Sequence, residues 1–257
     1  MTQDISTVTL DEIELDARGV HYRDLNARLR RLLASSRCAQ VTLRNVCGQR
    51  YIGTGLRQRV HLEIYGTPGN DLGAFMDGPT IVVHGNAQDG CGNTLNSGQV
   101  IVHGRAGDIT GYSMRGGQVF IRDDVGYRAA IHMKEYGERR PVLVIGGTAQ
   151  PFLGEYMAGG IVLVLGLSLA AGEPHRATYI GTGMHGGIIY LRGPIADWQL
   201  GREVGRAELE EADWQQVEAL VRQYVAYFGG DPQTILAGPF TKLFPLSLRP
   251  YGNLYAY

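Results

Sequence analysis

Ile81-Val-Val-His-Gly85, Val100-Ile-Val-His-Gly104 and Val119-Phe-Ile-Arg-Asp123 decide the fold, because each starts 19 residues after the last. Later copies end the same way at Gly147, Gly166 and Gly193. A second signature runs in phase with the first. It comprises Gly73-Ala-Phe-Met76, Gly92-Asn-Thr-Leu95, Gly111-Tyr-Ser-Met114, Ala130-Ile-His-Met133, Gly154-Glu-Tyr-Met157 and Gly181-Thr-Gly-Met184. The Met/Leu positions are spaced 19, 19, 19, 24 and 27, so insertions are expected after Met133, in 134–140, and between Gly166 and Gly181. Insertions gathered in one place per repeat are what the loops of a stacked solenoid tolerate.

Nineteen residues are too few for two helices, and each copy holds a short β-branched or aromatic run bounded by glycine. Strands that recur in one direction with a short return path stack about 4.8 Å apart as coils, wound right-handed by default. The expected fold is an all-β solenoid, a right-handed parallel β-helix of roughly seven coils with helical N- and C-terminal caps. The column Met76, Leu95, Met114, Met133, Met157 and Met184 should stack inside it.

Composition supports this reading. Of 37 glycines in 257 residues, 27 fall between Gly66 and Gly193, without a collagen period. Net charge is -1, which excludes a basic nucleic-acid binder and an acidic tail protein. Cys38, Cys47 and Cys91 form an odd set without metal-site spacing, pointing to a reducing compartment. No leader or membrane-length apolar run is evident, so a cytoplasmic protein is expected.

The chain divides into an N-terminal cap with a helix (1–39), the β-helix (40–202), and a C-terminal helix with an extended tail (203–257). In the first cap Leu25, Leu29, Leu32 and Leu33 share one helical face; in the second Leu209, Val217, Leu220, Val221, Tyr224 and Phe228 do.

Within each strand run the first and third residues share one face and the middle one takes the other. The middle column, Val82, Ile101, Phe120, Val144, Leu163 and Tyr190, is apolar, as an uncovered wall would not be. It is a candidate interface, covered either by the chain's own C-terminal segment or by a partner. His84 and His103 fall at one position in adjacent coils, followed by Arg122. Two ligands without a third read as a polar ladder rather than a metal site. His132 and His185 read as local corner residues. Gly111-Tyr-Ser113-Met-Arg115 lacks the second glycine of a nucleophile elbow. The Gly90-Cys91-Gly92 and Gly181-Thr-Gly183 strings precede no helix that would bind phosphate. No catalytic, cofactor or metal constellation emerges.

The repeated Gly-x-x-Met/Leu-x-Gly/Ser-Gly unit, over about 40–202, resembles the GXGXG-type β-helix domain found in the glutamate synthase large subunit and in the β-helix subunit of formylmethanofuran dehydrogenase. Asp124-Val-Gly-Tyr-Arg-Ala-Ala-Ile-His-Met-Lys-Glu-Tyr136 and Arg249-Pro-Tyr-Gly-Asn-Leu-Tyr255 resemble the version in which glutaminase, flavin and β-helix parts are separate chains. The resemblance implies a non-catalytic scaffold in glutamate biosynthesis, partnered by glutaminase and FMN-binding synthase subunits. FMN and an iron-sulfur cluster would then sit in a partner chain. An equivalent subunit of an N-methylglutamate synthase or formylmethanofuran dehydrogenase-type complex, a homo-oligomer and an autonomous esterase-like hydrolase are the alternatives.

Overall fold

The computed structural model describes residues 12–35 and 40–247; Cys38 and the 249–255 stretch lie outside the described residues. The strands β1 (Glu12–Asp16), β2 (Gln40–Cys47), β3 (His61–Thr67), β4 (Asp77–His84) and β5 (Ser97–Val102) stack parallel in chain order. They continue through β6 (Gln118–Ile121), β7 (Val142–Ile145), β8 (Ala158–Val164) and β9 (Gly186–Arg192). This is the parallel β-solenoid read from the 19-residue period. The 134–140 insertion is a small hairpin closed by Tyr136 and Arg139, and the second insertion forms the loop after Gly166.

The interior is packed by side chains. Met76, Leu95, Met114, Met133, Met157 and Met184 are all buried, against the inward strand residues such as Ile81, Val100 and Val119. Burying each such side chain stabilises by roughly 1.5–3 kcal/mol.

Each coil turns its corner through three left-handed residues at alternate positions. They are 71, 73 and 75 in one coil, 90, 92 and 94 in the next, 109, 111 and 113 after that, and the pattern holds from 51–55 to 179–183. The outer two are often not glycine: Tyr51, Phe75, Arg128, Phe152, Tyr156 and Tyr179 all have positive φ. A left-handed L-residue costs roughly 1–2 kcal/mol, and the inter-coil hydrogen bonds offset it. The N–H groups of Asp71 and Phe75 donate forward to the Asp89 and Asn93 carbonyls, whereas the Gly73 N–H donates back to the Ile52 carbonyl. The middle position stays small because it faces inward: a Cβ on Gly92 would lie 2.7 Å from Val119 Cγ2. Only Ala130 departs from glycine there, at φ 59°.

Both ends are closed, in ways the expected boundaries do not capture. Helix α1 (Tyr22–Ser35) buries Leu25, Leu29 and Leu33 on the first coils, but the parallel sheet already begins at β1, ahead of residue 40. At the other end β11 (Phe240–Pro245) runs antiparallel to β9, and β10 (Val204–Ala207) pairs with β11. Within the tail β11 thus reverses direction and pairs with the open edge of β9, leaving β10 as the outermost strand. No helix among the described residues is long and apolar enough to cross a membrane.

Candidate functional site

The middle column forms in the register expected. Val82, Ile101, Phe120, Val144, Leu163 and Tyr190 are paired strand to strand from β4 to β9. Its cover is the chain's own helix α2 (Glu211–Phe228). Phe120, Val144, Leu163 and Tyr190 form a second core with Val217, Leu220, Val221 and Tyr224. Val82 and Ile101 are buried as well. None of the six is therefore open to a partner, and the candidate interface is an internal one. Polar bonds fix the helix on the wall: Tyr224 Oη donates to the Arg122 carbonyl (2.8 Å) and Gln223 Nε2 to Gln118 Oε1 (2.8 Å).

One carboxylate pins the start of α2. Tyr190 Oη donates to Asp213 Oδ1 (2.7 Å), while Lys242 Nζ (2.8 Å) and the Glu210 N–H (3.0 Å) donate to Oδ2. Burial alone would raise the Asp213 pKa, but these bonds and the Lys242 charge outweigh it and hold it below the ordinary value. Tyr190 and Lys242 face each other across β9 and β11, so the wall, the helix and the closing strand meet at this group.

Beyond the reach of α2 the same column turns polar, running from Val82 through Glu63 and Thr42 to Glu14. Here His84 stacks on His103 (5.3 Å) and on Tyr65 (4.3 Å), and Arg44 lies over Tyr65. Glu63 bridges the Nε2 atoms of His61 and His84. Burial pushes Glu63 up, but the two histidine bonds hold its pKa below normal; His103 is lowered by burial and by the His84 and Arg122 charges. Among the described residues no group of three His, Cys, Asp or Glu is arranged to hold a metal. The ladder ends where the edge of the Phe228 ring meets His103 (5.0 Å). His61 and Glu63 escaped the sequence reading because β3 belongs to an irregular coil outside the six clear copies.

The corners carry the exposed chemistry. Tyr51, Phe75, Tyr127, Tyr156 and Tyr179 are exposed, with Tyr179 stacked on Phe152 at 5.1 Å. His132 and His185 are not isolated: both line one groove with Tyr156, beside Ser113, Arg115 and Lys134. The Ser113 N–H donates to the Ile131 carbonyl, and Ser113 shares that groove with His132 without a hydrogen bond between their side chains. Cys91 is buried, and its thiol is pushed up to about 12 by that burial.

The GXGXG motif family matches residues 26–245. Uncharacterized protein MJ1350 of Methanocaldococcus jannaschii is 49% identical over 253 residues, covering 96% of this chain and 97% of that protein. A chain in the formyltransferase/hydrolase complex FhcABCD from Methylorubrum extorquens, solved with methylofuran, superposes with a TM-score of 0.60. It covers 93% of this chain and 96% of its own at 17% identity, a likeness of fold. Glycine takes two of the alternate left-handed positions at Gly53-Thr-Gly55, Gly90-Cys-Gly92 and Gly181-Thr-Gly183, and with the family match spanning residues 26–245 the chain belongs to the GXGXG motif family.

Proposed function

We propose that this chain is a non-catalytic scaffold subunit of a multi-protein complex, and more finely of a glutamate synthase-like complex. Its role there is to hold glutaminase and FMN-binding synthase subunits at a fixed spacing, with FMN and the iron-sulfur cluster in a partner chain. The observation that carries the reading is the architecture itself. One sheet links the eleven strands among the described residues, with a packed interior and the apolar part of its outer wall covered by its own helix, which makes a rigid spacer. The structurally similar chain sits in a multi-subunit assembly, which supports partner subunits in general. The finer assignment rests on the 124–136 and 249–255 stretches.

Since the wall is sealed, partners dock on the corner aromatics, and Phe120→Asp would break the core rather than detach a subunit. The test is purification of the tagged chain from its native cell, with partners identified by mass spectrometry and bound flavin by absorbance. Glutaminase and flavin chains are expected, and Tyr179→Asp should weaken their recovery while leaving the melting curve in place. Recovery of a formylmethanofuran dehydrogenase-type set, or of the chain with copies of itself alone, would overturn the finer assignment.

A further inference from the structure

We propose that the cleft between the loop after Gly166 and the closing strands is a binding site for a small zwitterion with an apolar body, an α-amino acid or short peptide carrying an aliphatic side chain. The loop is the longer of the two insertions that break the 19-residue period, and bonds along its length pin it in place. The Leu167 N–H donates to the Gly146 carbonyl (2.8 Å), Ser168 Oγ to Asp124 Oδ1 (2.6 Å) and the Leu169 N–H to the Gly166 carbonyl (3.1 Å). Buried His175 holds the far end, with Nε2 2.8 Å from the Arg192 carbonyl. The facing wall comprises Pro194 and Ile195 after β9 and Pro239 ahead of β11, joined where the Gly193 N–H donates to the Pro239 carbonyl (2.9 Å). The space between the walls is about 750 Å3, within the range of small-molecule sites. Gly166 and Gly193 line it with backbone alone, and a Cβ on Gly166 would press to 3.1 Å from His175 Cε1.

Two opposite charges line this cleft without meeting. Arg192 donates from Nε to the Ile235 carbonyl (2.7 Å) and from Nη1 to the Leu165 carbonyl (3.5 Å), and Glu173 accepts the Ala170 N–H through Oε2 (2.9 Å). Among the described residues neither forms an ion pair, with the other or with any third group. The remaining charged residue of the lining, Arg206, is paired with Asp197 (2.8 Å). Carbonyl and amide partners satisfy hydrogen bonds but leave the guanidinium and carboxylate charges uncompensated. A ligand carboxylate on Arg192 and a ligand ammonium on Glu173 would compensate both. An anion alone is repelled by Glu173 and a cation alone by Arg192, so the cleft selects against ligands with a single charge. Leu169, Pro194, Ile195 and Pro239 supply the apolar contact for the body of the ligand.

The test is calorimetric titration of the full chain with leucine, leucyl-leucine, isocaproate, which lacks the amine, and isoamylamine, which lacks the carboxylate. The better of the two zwitterions should saturate with a Kd on the order of 1 mM, and which one it is tells an amino-acid site from a peptide site. Isocaproate and isoamylamine should each bind about tenfold more weakly. Glu173→Gln keeps an acceptor for the Ala170 N–H while removing the charge, so it should erase the advantage of the zwitterions over isocaproate. Arg192→Gln should erase their advantage over isoamylamine. Ala171→Phe, which fills the cleft without touching a charge, should weaken all probes, and with Glu173→Gln it decides the question if Arg192→Gln fails to fold. Absence of saturable heat with both zwitterions, equal affinity for either singly charged probe, or binding unchanged in Glu173→Gln and Ala171→Phe would overturn the proposal. The site does not rest on the scaffold reading: this titration uses the isolated chain and the scaffold test uses native assemblies, so either can fail alone.

Discussion

Asp213→Ala removes the acceptor on which three elements of the fold converge. The carboxylate takes hydrogen bonds from Tyr190, Lys242 and the Glu210 N–H at 2.7, 2.8 and 3.0 Å, and its side chain is 6% exposed. Breaking a buried charged pair by removing one partner costs roughly 3–5 kcal/mol. The Lys242 side chain is 20% exposed and recovers part of its hydration, which places the estimate near the lower end, about 3 kcal/mol. For a chain of this size that corresponds to a fall in Tm of roughly 6–12 °C. The pKa of Asp213 is depressed in the fold, so its contribution is present above the ordinary carboxyl value of 3.8 and is lost as pH falls through the lower folded value. The Tm gap between wild type and variant should therefore hold steady from neutral pH to about 5 and close below about 4. Differential scanning fluorimetry across that range measures both effects. Tyr190→Phe with Asp213→Leu and Lys242→Met, an apolar replacement of the whole cluster, should recover most of the loss. A single variant melting within about 2 °C of wild type, or a triple variant no more stable than the single one, would refute this account of how α2 is held.

Two further outcomes follow from the corners. Gly92→Ala should cost about 2–3 kcal/mol, the sum of a left-handed alanine and a Cβ forced against Val119, whereas Ala130→Gly should change stability by less than about 1 kcal/mol. In the latter case relief of strain is offset by a more flexible unfolded chain and a lost buried methyl; denaturant melts of both variants check the asymmetry. Cys91, buried and with its thiol pushed up to about 12, should resist alkylation at pH 8 in the native protein while exposed Cys47 reacts, as peptide mass spectrometry would show.

The solenoid was legible because three of its constraints are periodic. An inward Met/Leu, an inward pair of β-branched residues and a glycine facing the next coil recur at one spacing, and each is restricted by packing alone. The alternation of left-handed residues was only one-third legible. At the inward position a Cβ meets the next coil, so the residue is glycine in every corner but that of Ala130. At the two outward positions the side chain points to solvent, and Tyr51, Phe75 or Arg128 serves as well once an inter-coil hydrogen bond offsets the backbone cost. Composition therefore shows the corner where it is sterically closed and hides it where it is open.

The same distinction explains the surface. An apolar middle column required a cover, and that need was readable from Val82 to Tyr190. The identity of the cover depends on long-range placement: Gln223 meets Gln118 and Tyr227 Oη donates to Gln99 Oε1 across more than a hundred residues of sequence. The amphipathic pattern of α2 fits a partner's wall as well as its own, and what ties it to this one is the set of polar bonds to Gln99, Gln118 and Arg122 together with the Asp213 cluster, built from three separate segments. The extent of the cover then sets the chemistry of the column. Where α2 lies the column is apolar, and past Phe228, from Glu63 to Glu14, it becomes polar. The wall whose composition suits a partner is occupied by the chain's own helix, which leaves the aromatics at the coil corners as the exposed apolar surface of the repeats.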